Sequence, residues 1–536
     1  MLSCGELLVR LLDDYSVDTV FGLPGNHTVQ LYRGLADSAI RHVSPRHEQG
    51  AAFMADGYAR ACGRPGVCFL ISGPGLTNAA TAMMQALADS IPMLVITAVS
   101  ERRHLGLGEG RLHELPDQQA LASQLTRFSH TLMDPRDLPK VLARAFAVFT
   151  SQRPGPVHIE LPLDVITEPA DVADRQSWAV PSPPGPDKAS LMMAASMLQQ
   201  SKRPALVLGG GAVGASSAAI AIAETLDAPV FNTVNGKGVV PASHPLAVGA
   251  SPSLPVVRDA ISTSDVVLAL GTEWGETDYD MLFLGDIVLQ GSLIRVDIDA
   301  AQMARNQRPE LAVVSDAHQF LEALLPLMTP SDRGGMRRSQ ALRAAVQADA
   351  HVHAEMAALF RTLQESVSDL MLVGDSTLPT YYAVWQYECE QPRRYFHSAT
   401  GGGTLGYAIP ASFGAKLAAP ELSVAALIGD GSAQFTLPEL AAGVELGLSV
   451  AVVVWNNGGY GEIRNGMLAA EIEPVGVDIY TPDLIRAAAA LGCHTATPQD
   501  LEELAAVLHS AFARDRPTVI ELQEARFLSM PAGDWY

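Results

Sequence analysis

VAALIGDGSAQFTLPELAAGVELGLSVAVVVWNN, residues Val424 to Asn457, is the stretch from which the fold is read. Val424 to Ile428 is an uninterrupted apolar run, the signature of a strand buried on both faces of a parallel sheet. Gly429-Asp430-Gly431-Ser432 is predicted to be a turn, with two residues that allow close approach of a ligand and one carboxylate. A helix is predicted to start at Thr436 as N-cap, with Pro438 in its first turn and Glu439 completing a capping box. Gly447 supplies the stop, and Val450 to Trp455 forms a second apolar strand ending at Asn456-Asn457. Two parallel strands joined by a helix place Asp430 beside Asn457 at the sheet edge where open α/β sheets take ligands. A carboxylate oxygen, an amide oxygen and a backbone carbonyl suit octahedral Mg²⁺ that keeps water and phosphate oxygens in its shell. Gly-Asp-Gly alone also makes ordinary turns; the paired asparagines one βαβ unit later sharpen the pattern.

With 536 residues the chain holds roughly three or four domains of ordinary size. A composition of 48% apolar and 18% charged residues is that of a globular protein. The net charge of −22 argues against nucleic acid or an anionic membrane surface as partner. The opening MLSCGELLVRLLDDYSV reads as an acidic amphipathic helix, not a signal peptide, and no apolar run reaches membrane-spanning length. The cysteines Cys4, Cys62, Cys68, Cys389 and Cys493 lack CxxC spacing, so a cytoplasmic location is expected.

Along the chain, Leu7, Leu8, Leu11 and Leu12 share one helical face, and Val17 to Leu23 reads as a strand entering the turn Pro24-Gly25-Asn26-His27. Arg46 to Ala51 opens a helix with Glu48 near its start. Val67 to Ile71 is a buried strand followed by Gly73-Pro74-Gly75 and a helix, then a strand at Met93 to Thr97. This order repeats the layout of the opening stretch, so the two ends of the chain are expected to share a topology. Pro- and charge-rich segments divide the chain into residues 1–170, a linker 171–187, residues 188–328, a linker 329–340 and residues 341–536. Central strands are expected at Ala205–Leu208, Val266–Leu270 and Leu293–Ile298. The fold class is α/β, with three doubly wound parallel-sheet domains.

Glu48 within RHEQGAAFMADGYAR, together with the Asp430–Asn457 pair, resembles the thiamine diphosphate-dependent enzymes of the acetolactate synthase and pyruvate decarboxylase superfamily. The resemblance spans nearly the whole chain, in the order pyrimidine-binding, central and diphosphate-binding domain. It implies that Asp430, Asn457 and the Gly459 carbonyl hold Mg²⁺. It implies that Glu48 shares a proton with the cofactor pyrimidine and so activates the thiazolium; read alone, Glu48 is an acid at a helix N-terminus. GGGTLGYAIPASFGAK, Gly401 to Lys416, matches the family segment beneath the cofactor rings. Leu405 would hold the bent cofactor and the Gly403 carbonyl would accept from its amino group; without the family, Leu405 reads as a core leucine. Ser376 and Thr377 are candidate donors to the diphosphate, and Gly429, Gly431, Ser432 and Tyr460 are further cofactor-binding candidates.

The same resemblance puts His27 and His113 where relatives carry proton-transferring side chains, with Asn26 and Gln118 as weaker candidates. It further implies a homodimer or homotetramer with sites at the subunit interface. FAD is not expected: Gly271-Thr272-Glu273-Trp274 lacks the arginine of acetolactate synthases, and Leu208-Gly209-Gly210-Gly211 alone is a weak dinucleotide signal. Ile463 stands where pyruvate decarboxylases have a catalytic glutamate, one residue beyond Glu462. The runs Glu101 to Gln118 and NNGGYGEIRNGM resemble members that decarboxylate 5-guanidino-2-oxopentanoate to 4-guanidinobutanal. That substrate demands an acid for its guanidinium, and Glu109, Glu114, Asp117 and Glu462 are all candidates. The alternatives are an acetolactate synthase-like carboligase and a non-catalytic cofactor-binding homologue.

Overall fold

Apolar runs without polar alternation can be buried only in sheets covered on both faces, and three such sheets form here. They are seen in a computed structural model that describes residues 2–170, 176–349 and 351–528. In the first sheet the strands lie in the order Arg41–Val43, Thr19–Gly22, Gly66–Leu70, Met93–Val99, Pro156–Pro162, Phe128–Thr131. In the last the order is Tyr395–His397, Met371–Gly374, Val424–Gly429, Val450–Asn456, Thr518–Gln523, His494–Ala496. Every neighbouring pair in both is parallel. Numbered along the chain, both sheets run second, first, third, fourth, sixth, fifth, so the expected shared topology is present. The central sheet is also parallel, with Val230–Asn232 and Leu311–Val314 at its edges. Those two edge strands are short and were not anticipated. Among the described residues no helix is long and apolar enough to cross a membrane.

The first and last sheets are joined through two helices, Glu48–Cys62 and Ala408–Ala418. Phe53, Met54 and Tyr58 from one and Ile409, Ala411 and Phe413 from the other belong to a single buried core that continues into Val452 and Val454. The helices approach through glycine. A Cβ on Gly57 would stand 2.0 Å from the Ala411 carbonyl oxygen, and one on Gly414 would stand 1.9 Å from that of Met54. Backbone therefore packs on backbone, and no side chain larger than hydrogen fits either position.

Three expectations are corrected. The Gly429–Ser432 segment is not a turn before a distant helix: the helix begins at Asp430, capped by Gly429, and runs to Thr436. Thr436 and Glu439 form no capping box. The Thr436 hydroxyl donates instead to the Gly406 carbonyl at 2.8 Å, and the Glu439 carboxylate accepts from the backbone N–H groups of Arg46 and His47. Partners distant in sequence have taken the side chains that local capping would have used. The linker 329–340 is in fact partly helical, because Asp227 accepts from the N–H groups of Arg333, Gly335 and Met336 and starts the helix Gly335–Gln347. That helix crosses the boundary drawn at residue 341. Ser339 donates from it to Leu246 and Arg343 donates to Ala247, so it rests on the central unit. Of the first linker, residues 171–175 lie outside the described residues, and 176–187 contain no helix or strand.

Candidate active site

The edge formed by the C-terminal ends of Met371–Gly374, Val424–Gly429 and Val450–Asn456 collects most of the residues singled out in sequence. Gly429 pairs with Trp455 across the last two strands, which sets Asp430 beside the Asn456-Asn457 turn. Asp430 is fully buried; its carboxylate accepts from Asn457 N–H at 3.3 Å and from the Thr481 hydroxyl at 2.8 Å. Burial pushes this carboxyl up, against the hydrogen bonds from Thr481 and Asn457 that pull it down. The two asparagines have different tasks. Asn456 donates to Glu521 and accepts from Gly458 N–H, so it shapes the turn. Asn457 donates to Glu524 at 3.3 Å, and among the described residues its side-chain oxygen has no hydrogen-bond donor. Gly459 has φ +141, and a Cβ there would meet the Val477 carbonyl oxygen at 2.3 Å. Its own carbonyl oxygen lies 3.5 Å from where a Gly431 Cβ would be, next to the Tyr460 ring at 2.8 Å.

This set fits a magnesium diphosphate. The donors are all oxygens, as a hard cation requires, and the buried Asp430 carboxylate lacks only the positive charge that such a cation brings. Among the described residues no cluster of three or more His, Cys, Asp or Glu side chains suggests a softer metal. Ser376 and Thr377 stand on the adjacent strand end: the Ser376 hydroxyl is buried with no partner among the described residues, and Thr377 Oγ1 lies 2.9 Å from where a Gly429 Cβ would be. Ser432 is already engaged, since its hydroxyl accepts from Gly406 N–H at 2.7 Å and so ties down the Gly401–Gly406 loop.

In that loop Gly403 has φ +61, and a Cβ there would meet nothing within 4 Å, so it borders open space. Leu405 is half-buried and belongs to no apolar core, which removes the core-leucine reading. Glu48 opens its helix with His47 as N-cap and accepts from Asn78 Nδ2 at 2.9 Å. Among the described residues no hydrogen bond joins Glu48 to Asp430, Asn457 or Gly459. What does link the two regions is Glu439, which clamps the N–H groups just before Glu48.

The two histidine candidates meet. Their rings are 5.4 Å apart and edge to face, and His27 Nδ1 lies 2.5 Å from the Ser72 hydroxyl. Partial burial, and then the neighbouring His113, lower the His27 pKa and favour its neutral form. His113 adopts φ +59, with Nδ1 buried and unpartnered. Asn26 is exposed and is not part of this contact. Gln118 is buried in a structural network: its amide oxygen accepts from Gly73 N–H and its nitrogen donates toward Thr97, Ala98 and Glu160. Sequence reading missed Thr481, Glu524, Asn78 and Ser72, none of which lies in a recognisable motif, and gave Glu439 a local cap in place of its contact with Arg46 and His47.

Comparison with known proteins identifies the family. Family models for the thiamine pyrophosphate enzyme N-terminal TPP binding domain, central domain and C-terminal TPP binding domain match residues 2–121, 191–324 and 375–522. The chain is 45% identical to the probable 2-ketoarginine decarboxylase AruI of Pseudomonas aeruginosa, over 98% of this chain and 94% of that one. It is 30% identical to the acetolactate synthase large subunit IlvB1 of Mycobacterium tuberculosis, covering 97% and 88% of the two chains. A similar 30% relates it to the acetolactate synthase isozyme 1 large subunit of Escherichia coli, covering 86% and 82%. Three matched models in the order of the three sheets, and full-length relatives, establish that the chain belongs to the thiamine pyrophosphate enzymes.

Proposed function

We propose that this protein is a thiamine diphosphate- and Mg²⁺-dependent decarboxylase of a 2-oxo acid, acting on 5-guanidino-2-oxopentanoate to give 4-guanidinobutanal and CO₂. The single observation that carries the metal-diphosphate reading is the buried Asp430 carboxylate set beside Asn457 and Gly459 at the strand ends. The substrate reading is supported by 45% identity to a probable 2-ketoarginine decarboxylase.

In this proposal Asp430, Asn457 and Gly459 hold Mg²⁺, while Ser376, Thr377, Gly429, Gly431, Ser432 and Tyr460 surround the diphosphate. Gly403 and Leu405 border the rings. The bound cofactor supplies an electron sink for the carbanion left by departing CO₂. Glu48 holds a proton at the cofactor's pyrimidine, and Asn78 fixes the direction of its carboxyl. His27 and His113 form the acid–base pair at the substrate: a neutral His27, braced by Ser72, takes a proton from solvent and delivers it to the carbon that has lost CO₂, where it becomes the aldehyde hydrogen.

The working form is a homodimer or homotetramer in which Glu48 of one copy serves the metal site of another. In support, the segment after the metal loop exposes Ile463, Leu468, Ile472, Val475 and Tyr480, the last at 86%.

Product analysis with thiamine diphosphate and Mg²⁺ tests the reading, with 5-guanidino-2-oxopentanoate and pyruvate offered separately. CO₂ and 4-guanidinobutanal from the first alone are expected. Acetolactate from pyruvate, with little turnover of the guanidino acid, would replace the decarboxylase by a carboligase, as the acetolactate synthase relatives would have it.

A further inference from the structure

Four acids could face a guanidinium, and the fold has already committed three of them. Glu109 accepts from His104 and Arg111 and is nearly half exposed, at 47%. Glu114 closes its own loop, accepting from Gly108 N–H at 3.0 Å and Arg111 N–H at 2.9 Å. Asp117 caps the helix Gln118–Ser123 through Ala120 N–H. Of the four, Glu462 is the uncommitted one: its Oε2 is buried and has no hydrogen-bond partner among the described residues. Burial lifts this carboxyl to about 7, with no opposing charge or hydrogen bond. The adjacent cation, Arg464, does not serve it, being paired with Asp478 at 2.5 Å and donating to the Gly458 carbonyl.

Position adds to this. Glu462 lies in the first turn of the helix Gly461–Ala469, which grows directly out of Gly459-Tyr460. Gly459 is wedged against Val477, Tyr460 N–H donates to Val477 and the Tyr460 ring lies against Gly431, so this turn is rigidly tied to the metal loop. An unpaired carboxylate oxygen is costly to bury unless something supplies a counter-charge, and a guanidinium does so with a bidentate fork. We infer that Glu462 is the specificity residue of this site, pairing with the guanidinium end of the substrate while its keto acid end meets the cofactor. The inference rests on the guanidino 2-oxo acid reading above.

The test compares the holoenzyme with its Glu462→Gln and Glu462→Asp variants on 5-guanidino-2-oxopentanoate and on 2-oxohexanoate, a straight-chain analogue whose tail carries no charge. The readout is the ratio of kcat/KM for the two acids. Glu462→Gln is expected to lower that ratio by about 10²-fold, chiefly through KM, because a buried site loses its charge-assisted pair. Glu462→Asp keeps the charge on a shorter arm and should fall between the two; it carries the test if the glutamine variant does not fold. Equal losses on both acids would make Glu462 a structural or general catalytic group and overturn the inference, as would an unaltered ratio. Failure of the substrate reading looks different: the unmodified enzyme itself would then prefer 2-oxohexanoate.

Discussion

Replacing Gly57 by alanine tests whether the contact between the Glu48 helix and the Ala408–Ala418 helix sets the catalytic geometry. The added Cβ would lie 2.0 Å from the Ala411 carbonyl oxygen, 2.6 Å from its carbon and 2.7 Å from its Cα, so every obstacle is backbone. A carbonyl inside a hydrogen-bonded helix cannot rotate away. The helices must separate by about 1 Å to regain ordinary contact. Overpacking of this kind costs about 1–3 kcal/mol, and a reacting group displaced by about 1 Å loses on the order of 10²-fold in rate. Glu48 rides on the displaced helix and the Gly403–Leu405 loop leads into the other, so in the proposed oligomer this chain's contributions to two neighbouring sites shift against each other, and turnover should fall further than stability predicts. The assay pairs thermal unfolding with steady-state CO₂ release. Gly214→Ala is the control, since its Cβ would meet nothing within 4 Å. A Gly57→Ala protein with the thermal midpoint and turnover of that control would refute the argument.

Three further outcomes are expected. Glu48→Gln should fold normally yet lose roughly 10²-fold or more in turnover, as removal of a general acid–base group does; near-normal turnover would take Glu48 out of the mechanism. Asp430→Ala should abolish Mg²⁺-dependent retention of thiamine diphosphate, and equal affinity by calorimetry with and without the substitution would sink the metal assignment. Glu439→Gln addresses pH. Burial raises the Glu439 carboxyl to about 7, so the folded state holds its proton more tightly than the unfolded chain. That contribution to stability is full below about pH 4.5 and is lost as pH rises through 7. A neutral glutamine does not titrate, so the variant's melting temperature relative to the unsubstituted protein should climb between pH 5 and pH 8. A constant difference over that range would mean that Glu439 is ionised throughout, held so by the N–H groups of Arg46 and His47.

What could be read in the sequence was whatever depends on near neighbours in the chain. Continuous apolar runs announced the strands Gly66–Leu70, Val424–Gly429 and Val450–Asn456, because a segment buried on both faces has no place for polar residues. The Gly429–Ser432 and Asn456–Gly459 motifs pointed to the sheet edge where the cofactor site is proposed, because close approach of backbone to a ligand demands glycine at fixed spacing. Short edge strands such as Val230–Asn232 carried too few residues for any period to show. Thr436 and Glu439 were misassigned because a capping box is a weak local preference, and Gly406, Arg46 and His47 offered stronger partners only once the chain had folded. The same holds for the acids. Sequence chemistry named Glu109, Glu114, Asp117 and Glu462 on equal terms, since each can be ionised and each lies near a functional motif. Tertiary structure separated them, because which carboxylate keeps a buried oxygen without a donor depends on what the rest of the fold brings within hydrogen-bond reach.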